Sequence, residues 1–204
     1  PSNLDCIGNN AFYNCTSLTK ITIPSSVTVI EEFAFDECSS LTNVIFESPS
    51  SLDSIGENAF YGCTSLTQIT IPSSVTVIKE FAFDECLSNV IFESLSSLDS
   101  IGENAFYGCT SLTQITIPSS VNSIGNNAFG DCTSLTQITI PSSLTSIGNS
   151  AFYGCSSLTQ IAIPSSVTSI GICAFSLCSS LTQIIISSSV TSIGNNAFKR
   201  CSSL

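Results

Sequence analysis

Eleven cysteines and fifteen carboxylates are the side chains of this 204-residue chain that could do chemistry. Nine of the cysteines (Cys15, Cys38, Cys63, Cys86, Cys109, Cys132, Cys155, Cys178 and Cys201) recur at a nearly fixed interval. Thiols in such a series can pair, bind a metal or stack as small apolar groups. An odd total excludes complete intramolecular pairing. Stacked neighbours would come within bridging distance, but with parallel side-chain directions that fit disulfide geometry badly. No two have the CxxC spacing of a zinc ribbon, and Cys173 and Cys178 are five apart. The expectation is a buried column of free thiols. Cys6 and Cys173, outside that column, are the expected exposed ones.

The carboxylates are unevenly placed. Fourteen lie in residues 1–103, which with Lys20 and Lys79 carry a formal −12; beyond them stand only Asp131, Lys199 and Arg200. Aligned by repeat, Glu32, Glu57, Glu80 and Glu103 fall in one column. In-register carboxylates repel, and a Ca²⁺ ion would compensate, since it takes clustered oxygen ligands. The plainer alternative is a splayed, solvated edge that keeps the protein soluble. No DxDxDG-type loop supports calcium directly. As acid–base pairs the carboxylates lack the cleft that hydrolysis needs. The chain has no histidine, so no Ser-His-Asp triad and no histidine-ligated zinc site exists. No GxSxG elbow occurs either. No enzymatic activity, no cofactor and no metal centre are expected. A net charge of −11 argues against nucleic acid as partner.

The elements that position these residues come from a repeat. Ala-Phe starts at 11, 34, 59, 82, 105, 128, 151, 174 and 197, with intervals of 23 residues and a single one of 25. The cleanest unit is 141–163, PSSLTSIGNSAFYGCSSLTQIAI. Within SLTQITIP, Ile115 and Ile117 have the period of two of a strand with one buried face. Proline ends that strand at 24, 49, 72, 118, 141 and 164. Val121 and Ile124 form a second apolar pair, Gly125 turns the chain, and Asn127 is placed to cap a short helix or 3₁₀ turn over Ala128-Phe129. Stacked at about 4.8 Å per coil, such units bury one another's apolar edges in a rod on the order of 40 Å long. The nine phenylalanines Phe12, Phe35, Phe60, Phe83, Phe106, Phe129, Phe152, Phe175 and Phe198 are expected in one buried column. The apolar content of 43% argues against disorder. No apolar run is long enough to span a membrane.

Two irregularities stand out. Glu47-Ser48 and Glu93-Ser94 are matching two-residue insertions, the second offset by a deletion at Cys86-Leu87-Ser88. The stretch from Pro24 is nearly repeated from Pro72, as a duplicated two-unit block would be, which suits an open, extensible solenoid. The chain enters and leaves in mid-pattern, Pro1-Ser2-Asn3-Leu4 matching the opening of a unit, and no polar capping unit stands at either end. One domain over 1–204 is expected, with eight full coils plus a partial ninth, as a segment of a longer protein.

The pattern LxxIxIPxxVxxIGxxAFxxC, carried by the whole chain, resembles the BspA-like, or Treponema pallidum-type, leucine-rich repeats, a class with periods of 20–29 residues. The resemblance implies a right-handed leucine-rich-repeat solenoid with a parallel β-sheet on its concave face. It also implies a cell-surface or secreted, adhesin-like role with a protein partner. A structural scaffold inside an intracellular assembly is the competing class, favoured by the near-uniform units from Pro118. On the sheet, the residues flanking the first Ile of LxxIxI point outward. From Gln114 onward they form a stripe of Gln and Thr: Gln68, Thr70, Gln114, Thr116, Gln137, Thr139, Gln160 and Gln183 are the candidate binding residues. The same ladder would also stabilise the sheet by pairing with itself. A further column, Tyr13, Asp36, Tyr61, Asp84, Tyr107, Gly130 and Tyr153, suggests packing at least as strongly as binding. The sequon Asn14-Cys15-Thr16, at a core cysteine position, reads as chance.

Overall fold

The computed structural model describes residues 3–204; the unit opening at Pro1-Ser2 lies outside them. Seventeen short strands follow one another. Two-residue strands come from the VxxI segments: β1 (Cys6–Ile7), β3 (Val29–Ile30), β5 (Ser54–Ile55), β7 (Val77–Ile78), β9 (Ser100–Ile101), β11 (Ser123–Ile124), β13 (Ser146–Ile147), β15 (Ser169–Ile170) and β17 (Ser192–Ile193). Longer strands come from LxxIxI: β2 (Lys20–Ile23), β4 (Asn43–Phe46), β6 (Gln68–Ile71), β8 (Asn89–Phe92), β10 (Gln114–Thr116), β12 (Gln137–Thr139), β14 (Gln160–Ala162) and β16 (Gln183–Ile185). All pairings are parallel and one coil apart, as Gln114↔Gln137 and Ile30↔Ile55 show. The fold is a leucine-rich-repeat solenoid of about eight turns.

Hydrogen bonding divides the two strand columns differently. The short strands form an unbroken six-stranded ladder, β1-β3-β5-β7-β9-β11, and a three-stranded one, β13-β15-β17. The longer strands pair only two by two: β2-β4, β6-β8, β10-β12 and β14-β16. Three seams therefore cross the sheet expected to be continuous, between β4 and β6, β8 and β10, and β12 and β14.

The expected helical turn is absent. Among the described residues there is no helix, and so none that could cross a membrane. Asn127, expected to cap a helix, sits at φ 51°, a left-handed conformation. The turn is instead built from alternating amides. In one coil Ala105, Tyr107 and Cys109 donate locally to Gly102, Asn104 and Phe106, while Asn104, Phe106 and Gly108 donate to Asn126, Ala128 and Gly130 of the next coil. A helix would spend all these amides within the coil; this zigzag ties every coil to its neighbour. It requires left-handed residues at two columns, one holding Asn104 (φ 54°) and Asn127, the other Gly108 (φ 66°) and Asp131 (φ 53°). Asn, Asp and Gly tolerate that region best. Gly125, expected to turn the chain, serves close approach: a Cβ there would stand 2.5 Å from the Glu103 amide nitrogen.

The core is a set of columns. Adjacent phenylalanine rings lie 5.0 to 5.6 Å apart between centroids and within 10° of parallel. Seven are fully buried, from Phe35 to Phe175. Phe12 and Phe198 are only half-buried; among the described residues each stacks on one ring. The cysteine column is buried and unpaired from Cys38 to Cys201. Most of its thiols donate to the carbonyl of the preceding coil's phenylalanine, as Cys132 does to Phe106 at 3.2 Å. Burial pushes the thiols of Cys132, Cys155 and Cys178 up, Cys178 to about 12. Cys86 alone bonds its own coil's Phe83, at 3.1 Å. The deletion after it brings Leu87 directly into the leucine column, with its amide on the Leu66 carbonyl. Cys15 is a correction: it is exposed with Cys6, whereas Cys173 is half-buried.

Two predictions follow from the columns. Phe106→Ala should lower the unfolding free energy by about 3–5 kcal/mol, read from denaturant midpoints. Maleimide applied to the native protein should label Cys6 first, by mass spectrometry, and leave Cys63, Cys86, Cys109, Cys132, Cys155 and Cys178 unmodified until the protein unfolds.

Candidate functional site

The LxxIxI strands are positioned by their inward residues. Ile69, Ile115, Ile138 and Ile161 are buried, so the pleat turns Gln68, Thr70, Gln114, Thr116, Gln137, Thr139, Gln160 and Gln183 outward, and all eight are exposed. Gln114 lies opposite Gln137, Thr116 opposite Thr139, and Gln160 opposite Gln183. Among the described residues, self-pairing of the ladder is confined to one rung, where the Asn89 amide donates to Gln68 Oε1 at 2.9 Å. Among the described residues no side-chain hydrogen bond joins Gln114, Gln137, Gln160 and Gln183 to one another.

The seams shape this face. A depression of about 530 Å³ lies at the β8/β10 seam, between Asn89–Glu93 and Gln114–Thr116. One of about 440 Å³ lies at the β12/β14 seam and carries Gln137, Thr139, Gln160 and Gln183 on its walls. A smaller one, about 230 Å³, lies at the β4/β6 seam beside Gln68 and Thr70. Neighbouring strands without ladder bonds open the surface between them. Sequence reasoning missed these hollows, because the repeats on either side of a seam look alike. Ile45 and Ile91 replace the Thr of other coils and stand exposed.

The structure aligns Glu32, Glu57, Glu80 and Glu103, one per coil, two residues beyond the paired Ile30, Ile55, Ile78 and Ile101. They interrupt an asparagine column. The Asn9 Oδ1 accepts the Glu32 amide at 3.2 Å, and the Asn126 and Asn149 side chains accept the next coil's amides at 3.0 and 2.8 Å. Glu57 takes a hydrogen bond from Asn58, and Glu103 takes them from Asn104 and Asn126. Among the described residues no three acidic or thiol side chains converge as metal ligands.

The tyrosine–acid column is packed. Asp36 and Asp84 are 7% and 6% exposed, and their Oδ1 atoms have no hydrogen-bond partner. Asp36 lies in the coil between Tyr13 and Tyr61, and Asp84 between Tyr61 and Tyr107. Burial, helped by the adjoining Glu37 and Glu85, pushes each up to about 6. Tyr107 donates to Asp131 at 2.6 Å and is pushed up to about 12 by that bond and by burial. The acids reach over the glycine of the next coil: a Cβ on Gly108 would stand 3.2 Å from Glu85 Cγ and 3.4 Å from Asp84 Oδ1.

A carboxyl raised above its unfolded value near 3.9 binds protons more readily in the folded state, so stability rises as pH falls through that window. The melting temperature should therefore be higher near pH 5 than near pH 7.5. The double change Asp36→Asn, Asp84→Asn should raise it at pH 7.5 and flatten the difference.

The comparisons agree with this geometry. A family model described as the BspA type leucine rich repeat region matches residues 1–98 and 87–204. No curated protein matches the chain. A leucine-rich repeat protein from Bacteroides ovatus is 30% identical, with a TM-score of 0.58 over 98% of this chain and 69% of that one. The T. pallidum leucine-rich repeat protein is 30% identical, with a TM-score of 0.60 over 87% and 71%. The pneumococcal vaccine antigen PcpA, 23% identical with a TM-score of 0.62 over 86% and 58%, shares the fold. A 23-residue repeat along the whole chain, parallel coils and a family match from end to end place this protein in the BspA-type leucine-rich repeat family.

Proposed function

We propose that this chain is a non-enzymatic protein-binding module of a cell-surface or secreted, adhesin-like protein, and that it binds through the outward face of the LxxIxI strands. The observation that carries the reading is the exposed Gln and Thr stripe, whose amides from Gln114 onward are not spent on one another and which borders open hollows. Extended solenoid faces of this kind serve as binding surfaces. Localisation at the surface rests on the family. The second reading, a scaffold within an intracellular assembly, is favoured by the uniformity of the units from Pro118. Protease accessibility on intact cells of the source organism separates the two: digestion supports the adhesin, protection the scaffold.

The binding surface is tested by retention of the labelled chain on intact animal cells at low and high salt. Contacts through the stripe are hydrogen bonds and shape, and resist salt. Contacts through the column of Glu32, Glu57, Glu80 and Glu103, to a basic or cation-bridged partner, are screened beyond about 10 Å at 0.1 M salt. Gln137→Ala should weaken retention several-fold and Glu80→Ala should leave it unchanged. Strong salt sensitivity with an inert Gln137→Ala would move the site to the acidic column.

A further inference from the structure

The proline that ends each LxxIxI strand has one apolar replacement. The column runs Pro24, Pro49, Pro72, Leu95, Pro118, Pro141, Pro164 and Ser187. Leu95 closes the second copy of the duplicated block, where the first copy has Pro49. It is 96% exposed and held at φ 59° in the turn after the Glu93-Ser94 insertion. A branched side chain in that region is strained, and a leucine so exposed contributes nothing to the core. It stands on the rim of the β8/β10 hollow, about 530 Å³, within the range of about 300–1,000 Å³ usual for binding pockets. Ile91, Phe92 and Pro118 add apolar wall, and Gln114 a polar one. Ile91 is exposed in the column that holds Thr22, Thr70, Thr116 and Thr139 in other coils. Among the described residues in the lining, Glu93 is the one ionisable group. Its carboxylate accepts the Ser73 amide at 2.8 Å. The surrounding half of the chain, residues 1–103, carries a formal −12.

We infer that the β8/β10 seam is a docking groove for an extended protein segment that pairs apolar side chains with lysine or arginine. The apolar side chain packs on Leu95, Ile91 and Phe92, and the neighbouring cation meets Glu93 and the field of the acidic half. The apolar rim supplies the affinity and the carboxylates exclude acidic segments. This assignment rests on the reading of the LxxIxI face as a binding surface and names the segment chemistry one part of that face would take.

The test uses fluorescein-labelled peptides of alternating Leu-Lys, Leu-Glu and Ser-Lys, read by fluorescence anisotropy on the full chain. The Leu-Lys peptide should bind and the other two should not. Leu95→Gly removes the side chain while relieving the positive φ, so the fold should hold or gain in melting temperature while Leu-Lys affinity falls about tenfold or more. Ile91→Thr, the residue of other coils, should weaken binding in the same direction. Glu93→Gln keeps an acceptor for Ser73 and should lower affinity and its salt dependence together. Equal binding of Ser-Lys, no binding of Leu-Lys, or unchanged affinity in Leu95→Gly overturns the groove. Gln137→Ala, at the other seam, keeps the two readings apart. Loss of cell retention in that variant with no effect of Leu95→Gly on the peptide preserves the face and rejects the groove. Peptide loss in Leu95→Gly with normal cell retention in Gln137→Ala keeps the groove and removes the Gln137 part of the stripe from the binding surface.

Discussion

Every coil of this protein leaves about half of its turn amides for the coil beside it. Asn104, Phe106 and Gly108 each donate across to the next turn, and the strands do the same on two further sides. A coil without neighbours would expose those groups and the edge of its core, so no unit is stable alone and the solenoid stands on the contact between successive units. The phenylalanine rings repeat the rule in the core, each seated between two others except at the ends. Translation by one coil is thus the constraint to which the other features conform.

That constraint explains where the chain accepts strain. The zigzag turn needs left-handed residues at two fixed columns. Most coils supply Asn, Asp, Ser or Gly there, but the duplicated block places Phe33 and Phe81 at the first column and Glu37 and Glu85 at the second, all with φ between 57° and 58° or close to it (54° for Phe81). The cost, about 1–2 kcal/mol for such a residue, is met by the intercoil bonds on both sides. The acidic side chains in those coils fold over Gly62 and Gly108, so acid-bearing and glycine-bearing coils interleave. Asp36 and Asp84 are buried by this interleaving without a partner for every oxygen, which makes the acidic half the pH-sensitive half.

The face with the Gln and Thr stripe obeys the constraint less strictly. Its strands bond in pairs, whereas the VxxI strands run unbroken through six coils. Ladder bonds released at a seam are replaced by an open hollow. Stability and surface shape are thereby divided between two sides of one coil: the short strands hold register, and the longer strands vary.

Much of this was legible in the residues. The period of 23, the alternation of Ile115 and Ile117, and the invariance of Ala-Phe and Cys within the chain dictate a stack, its register and its core, because only residues that repeat at the coil interval can meet their own kind. The outward set of Gln and Thr followed from the pleat alone. The turn did not: Asn before Ala-Phe suits both a helix cap and a left-handed residue, and the choice is made by the next coil's carbonyls, which local sequence cannot contain. The exposure of Cys15 and the partial burial of Phe12 and Phe198, in columns whose other members are buried, belong to the tertiary structure too, since the repeat unit is the same. The pairing of the longer strands and the hollows between them belong wholly to the tertiary structure, where distances between near-identical segments, and not their residues, decide which amides bond.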